Sequence, residues 1–155
     1  MSSTQPRGFT LLVAVIVSSV IVSVGLALLD VTLKQVLLSS AASQSQYAFY
    51  NADSALECAL YWDQQRGAFD YLSPLPGTSI SCANRAITNY AQTSVSGVIR
   101  TTFMLACEDN AGSLGNVTID KTATGKTTIY ANGYNSCDST DVRRIERGLK
   151  AEYGV

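Results

Sequence analysis

From Phe9 to Leu29 the chain runs through 21 residues without one charged side chain, and no other feature constrains its fold as strongly. Wound as an α-helix at about 1.5 Å per residue, such a run spans roughly 30 Å. That is the thickness of a bilayer's hydrocarbon core. Val, Ile and Leu dominate it, with Ser18, Ser19, Ser23 and Gly25 interspersed. Small and hydroxylated residues of this kind mark faces where membrane helices approach closely. The β-branched residues disfavour a helix slightly in water, but in lipid every backbone polar group must be satisfied internally, so the helix prevails. Arg7 is the only side-chain charge before Asp30. The positive-inside rule therefore orients the amino terminus to the cytoplasm and the rest of the chain outward. Two plainer readings compete: an uncleaved signal anchor, and a secretory signal peptide cut at the small-x-small string Gly25-Leu26-Ala27. Against the second, the run is longer than a signal core of about 7–15 residues, and the helical pattern continues through the cleavage site.

The helix is expected to extend well beyond the membrane. No proline or glycine occurs from Leu26 to Arg66, and Gly67 is the first strong breaker. Asp30 and Lys34 form an i, i+4 pair of weak surface value. Small residues then recur at Ala41, Ser45, Ala48, Ala52, Ala55 and Ala59, flanked by Phe49, Leu56 and Leu60. A narrow seam of this sort suits close packing onto a sheet or another helix. After Gly67 the texture changes to turns and short extended segments. Ser73-Pro74-Leu75-Pro76-Gly77 reads as a loop. Thr78 to Cys82 reads as a short strand and Val95 to Cys107 as a long one, with Val95, Ile99, Phe103, Leu105 and Cys107 on one face. Glu108 to Asn116 reads as a loop. Val117–Asp120 and Thr127–Ala131 read as a hairpin around Ala123-Thr124-Gly125-Lys126. Arg143 to Tyr153 alternates, with Ile145, Leu149, Ala151 and Tyr153 on one face. One long helix followed by a meander of strands is an α+β fold, a helix on a small antiparallel sheet. The expected organisation is a polar leader over 1–8, a transmembrane half of the helix over 9–29, an outer half over 30–66 and a β-rich region over 67–155 that forms one domain with the outer helix.

The junction Arg7-Gly8-Phe9-Thr10-Leu11-Leu12 resembles the processing site of type IV prepilins and the related pseudopilins. That resemblance implies a peptidase that cuts between Gly8 and Phe9, followed by N-methylation of Phe9. It also implies a pilin-like fold and a filament in which N-terminal helices of neighbouring pilins pack together. One departure from the pattern is evident. Most pilins carry a glutamate at the fifth mature position, where it neutralises a neighbour's amino terminus, and here that position is Val13. The strings Gly8-Phe9-Thr10-Leu11-Leu12-Val13-Ala14 and Tyr47-Ala48-Phe49-Tyr50-Asn51-Ala52-Asp53-Ser54-Ala55-Leu56-Glu57 resemble PilX-type minor pilins, which also tend to have an aliphatic residue there. The resemblance covers roughly the first 65 residues. It implies a minor pilin or pseudopilin of a type IV pilus or type II secretion-like filament, placed at the tip, in initiation or in surface contact. The implied partners are other pilins, the prepilin peptidase and membrane lipid before assembly. The implied route leads from the inner or cytoplasmic membrane of a bacterium to an extracellular filament or the cell surface. The alternative is a membrane-anchored extracytoplasmic binding or enzymatic domain unrelated to filaments.

All four cysteines, Cys58, Cys82, Cys107 and Cys137, lie on the outer side of the expected membrane span. Disulfides persist there. Four cysteines allow three pairings, and sequence alone does not choose among them. The favoured pairing joins Cys58 to Cys82, tying the end of the helix to the sheet, and Cys107 to Cys137, which resembles the disulfide-bounded loop of many pilins. No C-x-x-C pair suggests zinc.

Catalytic signatures are missing. The chain has no histidine, which removes Ser-His-Asp and Cys-His catalysis and His-ligated metals. No phosphate-binding loop motif is present; Gly112-Ser113-Leu114-Gly115 and Gly125-Lys126-Thr127 read as turns. No catalytic residue, metal or cofactor is expected. Asp138 and Asp141 are a calcium possibility, with solvated loop acids the commoner case. Arg143, Arg144 and Arg147, interleaved with Glu146, read as a solvated or edge-guarding face rather than a binding patch. Asn116-Val117-Thr118 fits a glycosylation sequon. The eight tyrosines and Trp62 read chiefly as core-filling residues. A net charge of −1 with 15% charged residues provides no basic field for nucleic acid.

Overall fold

The computed structural model describes residues 7–72, 76, 79–107 and 112–154. One helix, α1, runs Arg7–Gln64 and is followed by six strands: β1 Ser81–Cys82, β2 Arg85–Val95, β3 Val98–Ala106, β4 Ser113–Thr122, β5 Thr127–Tyr134 and β6 Glu146–Tyr153. The strands form one antiparallel sheet in the order β1-β2-β3-β4-β5-β6, a meander. The architecture is α+β, as the periodicity predicts. The chain divides into two compact units, Met1–Ala42 and Ser43–Val155.

In the second unit the helix packs on the sheet through its alanine seam. Ala48, Ala52, Ala55 and Ala59 are wholly buried. Two cross-strand neighbours, Gly115 on β4 and Gly133 on β5, lie beneath them. A Cβ on Gly133 would fall 2.1 Å from the Ala52 nitrogen and 2.3 Å from the Ala48 oxygen, so glycine alone permits this approach. Asn51 Nδ2 donates to the Tyr134 carbonyl (2.7 Å), and Trp62 Nε1 donates to that of Ser81 (2.8 Å). At the end of α1 the backbone turns left-handed at Gly67 (φ 59°), whose N–H returns to the Asp63 carbonyl at 3.1 Å. This αL closure satisfies a carbonyl the helix would leave orphaned. The core beyond it holds Phe69 stacked on Phe103 (centroids 5.8 Å) with Ile80, Val117, Ile119 and Ile129.

Several expectations are corrected. The long strand expected over Val95–Cys107 begins at Val98, because Ser96 (φ 53°) and Gly97 (φ 78°) form a two-residue hairpin turn. Two successive positive φ values are the type I′ geometry that matches strand twist. β2 on the other side of that turn was not expected; Arg85–Val95 shows little apolar alternation and is held mainly by its pairing with β3. The loop expected over Glu108–Asn116 gives way at Ser113, where β4 begins, recruited by pairing with β3. Glu108 to Ala111 lie outside the described residues, as does the Ser73–Gly77 loop except Pro76. The short strand expected over Thr78–Cys82 narrows to Ser81–Cys82, and Thr78 is not described. The hairpin turn at Ala123–Lys126 is present between strands longer than expected. β6 starts at Glu146 rather than Arg143.

Candidate functional site

Among the described residues the first unit presents a long, continuous exposed apolar surface. Every residue from Phe9 to Ala42 is exposed, with Phe9 at 69% and Val13 at 41%. Four of its hydroxyls are nevertheless bonded within the helix. Ser18, Ser19 and Ser23 donate to the carbonyls of Val15, Ile16 and Val20 at 2.8–2.9 Å, and Thr32 donates to that of Leu28 at 2.8 Å. These four hydroxyls are therefore satisfied within the helix, as lipid requires of polar groups that enter it. The first charges after the run pair with each other, Lys34 Nζ lying 2.8 Å from Asp30 Oδ2. α1 is thus long and apolar enough to cross a membrane. Gly8 and Phe9 fall within the first turn of α1 as it begins at Arg7; residues 1–6 of the expected leader lie outside the described residues. No carboxylate occurs between Phe9 and Asp30, so the run contains no counter-charge for a cation placed beside it.

The cysteines form two disulfides, Cys58–Cys82 from α1 to β1 and Cys107–Cys137 from the end of β3 to the β5–β6 connection. Among the described residues none is free. The acidic loop is engaged with itself. Asp138 Oδ1 accepts from the Thr140 backbone (2.8 Å) and hydroxyl (2.7 Å), which holds its carboxyl below the usual range. Asp141 Oδ1 accepts from the Arg143 backbone (2.9 Å). Among the described residues no three acidic or metal-ligating side chains gather.

The three arginines do not share a strand face. Arg143 and Arg144 precede β6, and the Arg144 guanidinium lies 3.7 Å over the Tyr134 ring while Nη2 donates to the Ser113 carbonyl. Arg147 on β6 reaches Ser45 Oγ on α1 (2.8 Å), pinning the edge strand to the helix. The Asn116 sequon sits inside β4, its amide donating to the Tyr134 hydroxyl (3.0 Å). Gly115 is likewise in a strand rather than a turn, whereas Gly125 and Lys126 do form the β4–β5 turn. The aromatic residues divide. Phe69 and Phe103 fill the core, but Tyr47 and Tyr50 are 60% and 65% exposed, contrary to the core-filling expectation.

Sequence reasoning missed one polar cluster. Asp63, buried near the end of α1, takes Lys121 Nζ of β4 on Oδ1 (2.7 Å) and the Tyr153 hydroxyl of β6 on Oδ2. Burial, and then the bond to Asp63, push the Tyr153 hydroxyl well above its ordinary range. A Lys and a Tyr at inward positions of two alternating strands were the only available signal.

No family model matches the chain, and neither a curated protein nor a solved structure matches it.

Proposed function

We propose that the chain is a minor pilin or pseudopilin, a structural subunit of a type IV pilus or type II secretion-like filament rather than a catalyst. The observation that carries this reading is the helix itself. A 21-residue uncharged run, directly preceded by Arg7-Gly8, lies on the same helix that farther on packs against a disulfide-stapled antiparallel sheet. A membrane span followed by a soluble, sheet-bearing unit suits a subunit that waits in the membrane and is then drawn into a filament. The peptidase removes residues 1–8 on the cytoplasmic side, Phe9 is methylated, and the exposed apolar helix exchanges lipid for the helices of other pilins. Val13 favours a place at the tip or in the initiating complex. A methylated amino terminus buried in a helical array meets a neighbour's fifth residue, and a valine leaves that charge uncompensated at substantial cost.

Mass spectrometry of the mature amino terminus tests the reading. The expected product begins at N-methylated Phe9. A chain retaining Met1, or one beginning near Leu28 after signal-peptide cleavage, overturns it.

A further inference from the structure

The two edges of the sheet are built differently. β6 is guarded by Glu146, Arg147, Lys150 and Glu152, with Lys150 Nζ 2.8 Å from Glu152. Charged side chains on an outer strand discourage another chain from pairing with it. The opposite edge has no such guard. β1 pairs only with Arg85 and Ala86, so among the described residues no strand flanks the rest of β2 on its outer side. No charge and no proline occurs from Ala86 to Ile99. A bulge between Thr88 and Ala91 interrupts the first half of β2, but from Ala91 to Val95 the register against β3 is regular. Five regular residues are a full strand's length by ordinary standards.

We propose that the open edge of β2 from Ala91 to Val95 pairs with the same edge of a second copy, antiparallel and centred on Thr93. Two-fold pairing sets each residue opposite its symmetry mate, 91 against 95 and 92 against 94. A charge in a short edge is thereby brought close to its like in the other copy. This segment, Ala-Gln-Thr-Ser-Val, has none to repel. Side-chain sizes also fit. Ala91, Thr93 and Val95 pair with Thr102, Arg100 and Val98 and so share the sheet face away from α1. In the proposed pairing Val95 of one copy covers Ala91 of the other, large against small, and the two Thr93 side chains meet, a favourable cross-strand pair. Val95 is 63% exposed and walls an open cleft of about 300 Å³ with Thr93, Val98, Arg100 and Asp120, which the second copy would close. The surface is remote in sequence from the apolar run and stands independently of the filament reading.

The test uses the full chain in detergent with single cysteines and a mild oxidant, read on non-reducing gels after the native disulfides are mapped. Thr93→Cys is expected to form a cross-linked dimer about tenfold faster than Lys150→Cys on the other edge, since opposed Cβ atoms in a strand pair are within disulfide reach. An equimolar mixture of Ala91→Cys and Val95→Cys chains is expected to give the mixed dimer in excess over either homodimer. Adding Ser94→Lys should slow the Thr93→Cys reaction to the Lys150→Cys rate. Thr93→Cys cross-linking no faster than Lys150→Cys, or a Thr93→Cys rate indifferent to Ser94→Lys, overturns the proposal.

Discussion

Gly133→Ala adds one methyl group at the point where α1 and β5 come closest, and the structure sets its consequence. The new Cβ would lie 2.1 Å from the Ala52 nitrogen, 2.3 Å from the Ala48 oxygen and 2.7 Å from the Ala52 Cα. All three are backbone atoms, so no side-chain rotation relieves the clash. The helix must retreat by about 1 Å, loosening the buried alanines and stretching the Asn51–Tyr134 bond, now 2.7 Å. Overpacking of this kind costs roughly 1–3 kcal/mol, and the weakened hydrogen bond adds about 1 kcal/mol. Alanine's stiffer unfolded chain offsets about 0.5 kcal/mol. The net expectation is a loss of about 2.5 kcal/mol. Gly115→Ala meets Ala55 Cβ at 3.3 Å and the Asn132 oxygen at 3.1 Å, and should lose only about 1 kcal/mol. Gly148→Ala meets only the Asn132 side-chain oxygen at 3.0 Å, which can move, and should be close to neutral. Urea unfolding followed by Trp62 fluorescence reads all three, because that indole bridges the end of α1 to Ser81. The m-value should stay constant. Gly133→Ala within about 0.5 kcal/mol of the parent would refute the reasoning, being no more than an ordinary surface change. So would rescue by Ala52→Gly, since trimming that side chain leaves the obstructing backbone in place.

Lys121→Met leaves Asp63 buried without its cation and should destabilise the fold by about 3 kcal/mol; equilibrium unfolding at neutral pH checks it. Tyr153 has a folded pKa raised above its ordinary 10.0, so it contributes stability at lower pH that is lost progressively as pH rises above about 10. Tyr153→Phe should flatten that alkaline decline in a pH series of denaturation midpoints. Replacing both Cys107 and Cys137 by serine opens a link spanning 30 positions and should cost about 3.5 kcal/mol in the chain-entropy account, measured against the oxidised parent. On the proposed function, the subunit's stoichiometry in purified filaments should be far below that of the major subunit, and comparable abundance contradicts the inference from Val13.

The helix was legible because its signals are local. An uncharged run, a seam of alanines and a breaker at Gly67 each act within one or two turns. Alternation likewise marked β3, β5 and β6, since one face of each meets the core. β2 and the start of β4 were not legible. Thr93-Ser94 and Ser113-Leu114 become strand only through partners distant in sequence, and pairing rather than propensity decides there. The Ser96-Gly97 turn carries a local signal in its glycine, but the apolar residues on either side suggest one continuous strand. The glycine row beneath the helix and the Asp63–Lys121–Tyr153 cluster exist only once three or four elements come together. No spacing along the chain encodes them.

α1 is composed differently along its length, and the difference indicates what each part meets. From Ala48 to Ala59 only one face is small and buried, while Tyr47, Tyr50 and Glu57 remain outside, as suits a helix resting on a single sheet. From Phe9 to Leu29 the large apolar side chains cover every side. A one-sided neighbour cannot cover such a surface, which calls for lipid all round or several helices at once. Its three serines are bonded within the helix and demand no particular partner, so both surroundings are chemically open to them. On the proposed processing, the two surroundings differ in how they treat the charge at the head of the run. An amino terminus at Phe9 would be hydrated at a membrane surface among lipid headgroups, whereas among packed helices it would need a carboxylate, and Val13 supplies none. Under that reading the chain is better suited to the membrane than to the interior of an array. For a filament subunit that balance favours the end of the structure, where fewer neighbours enclose its amino terminus.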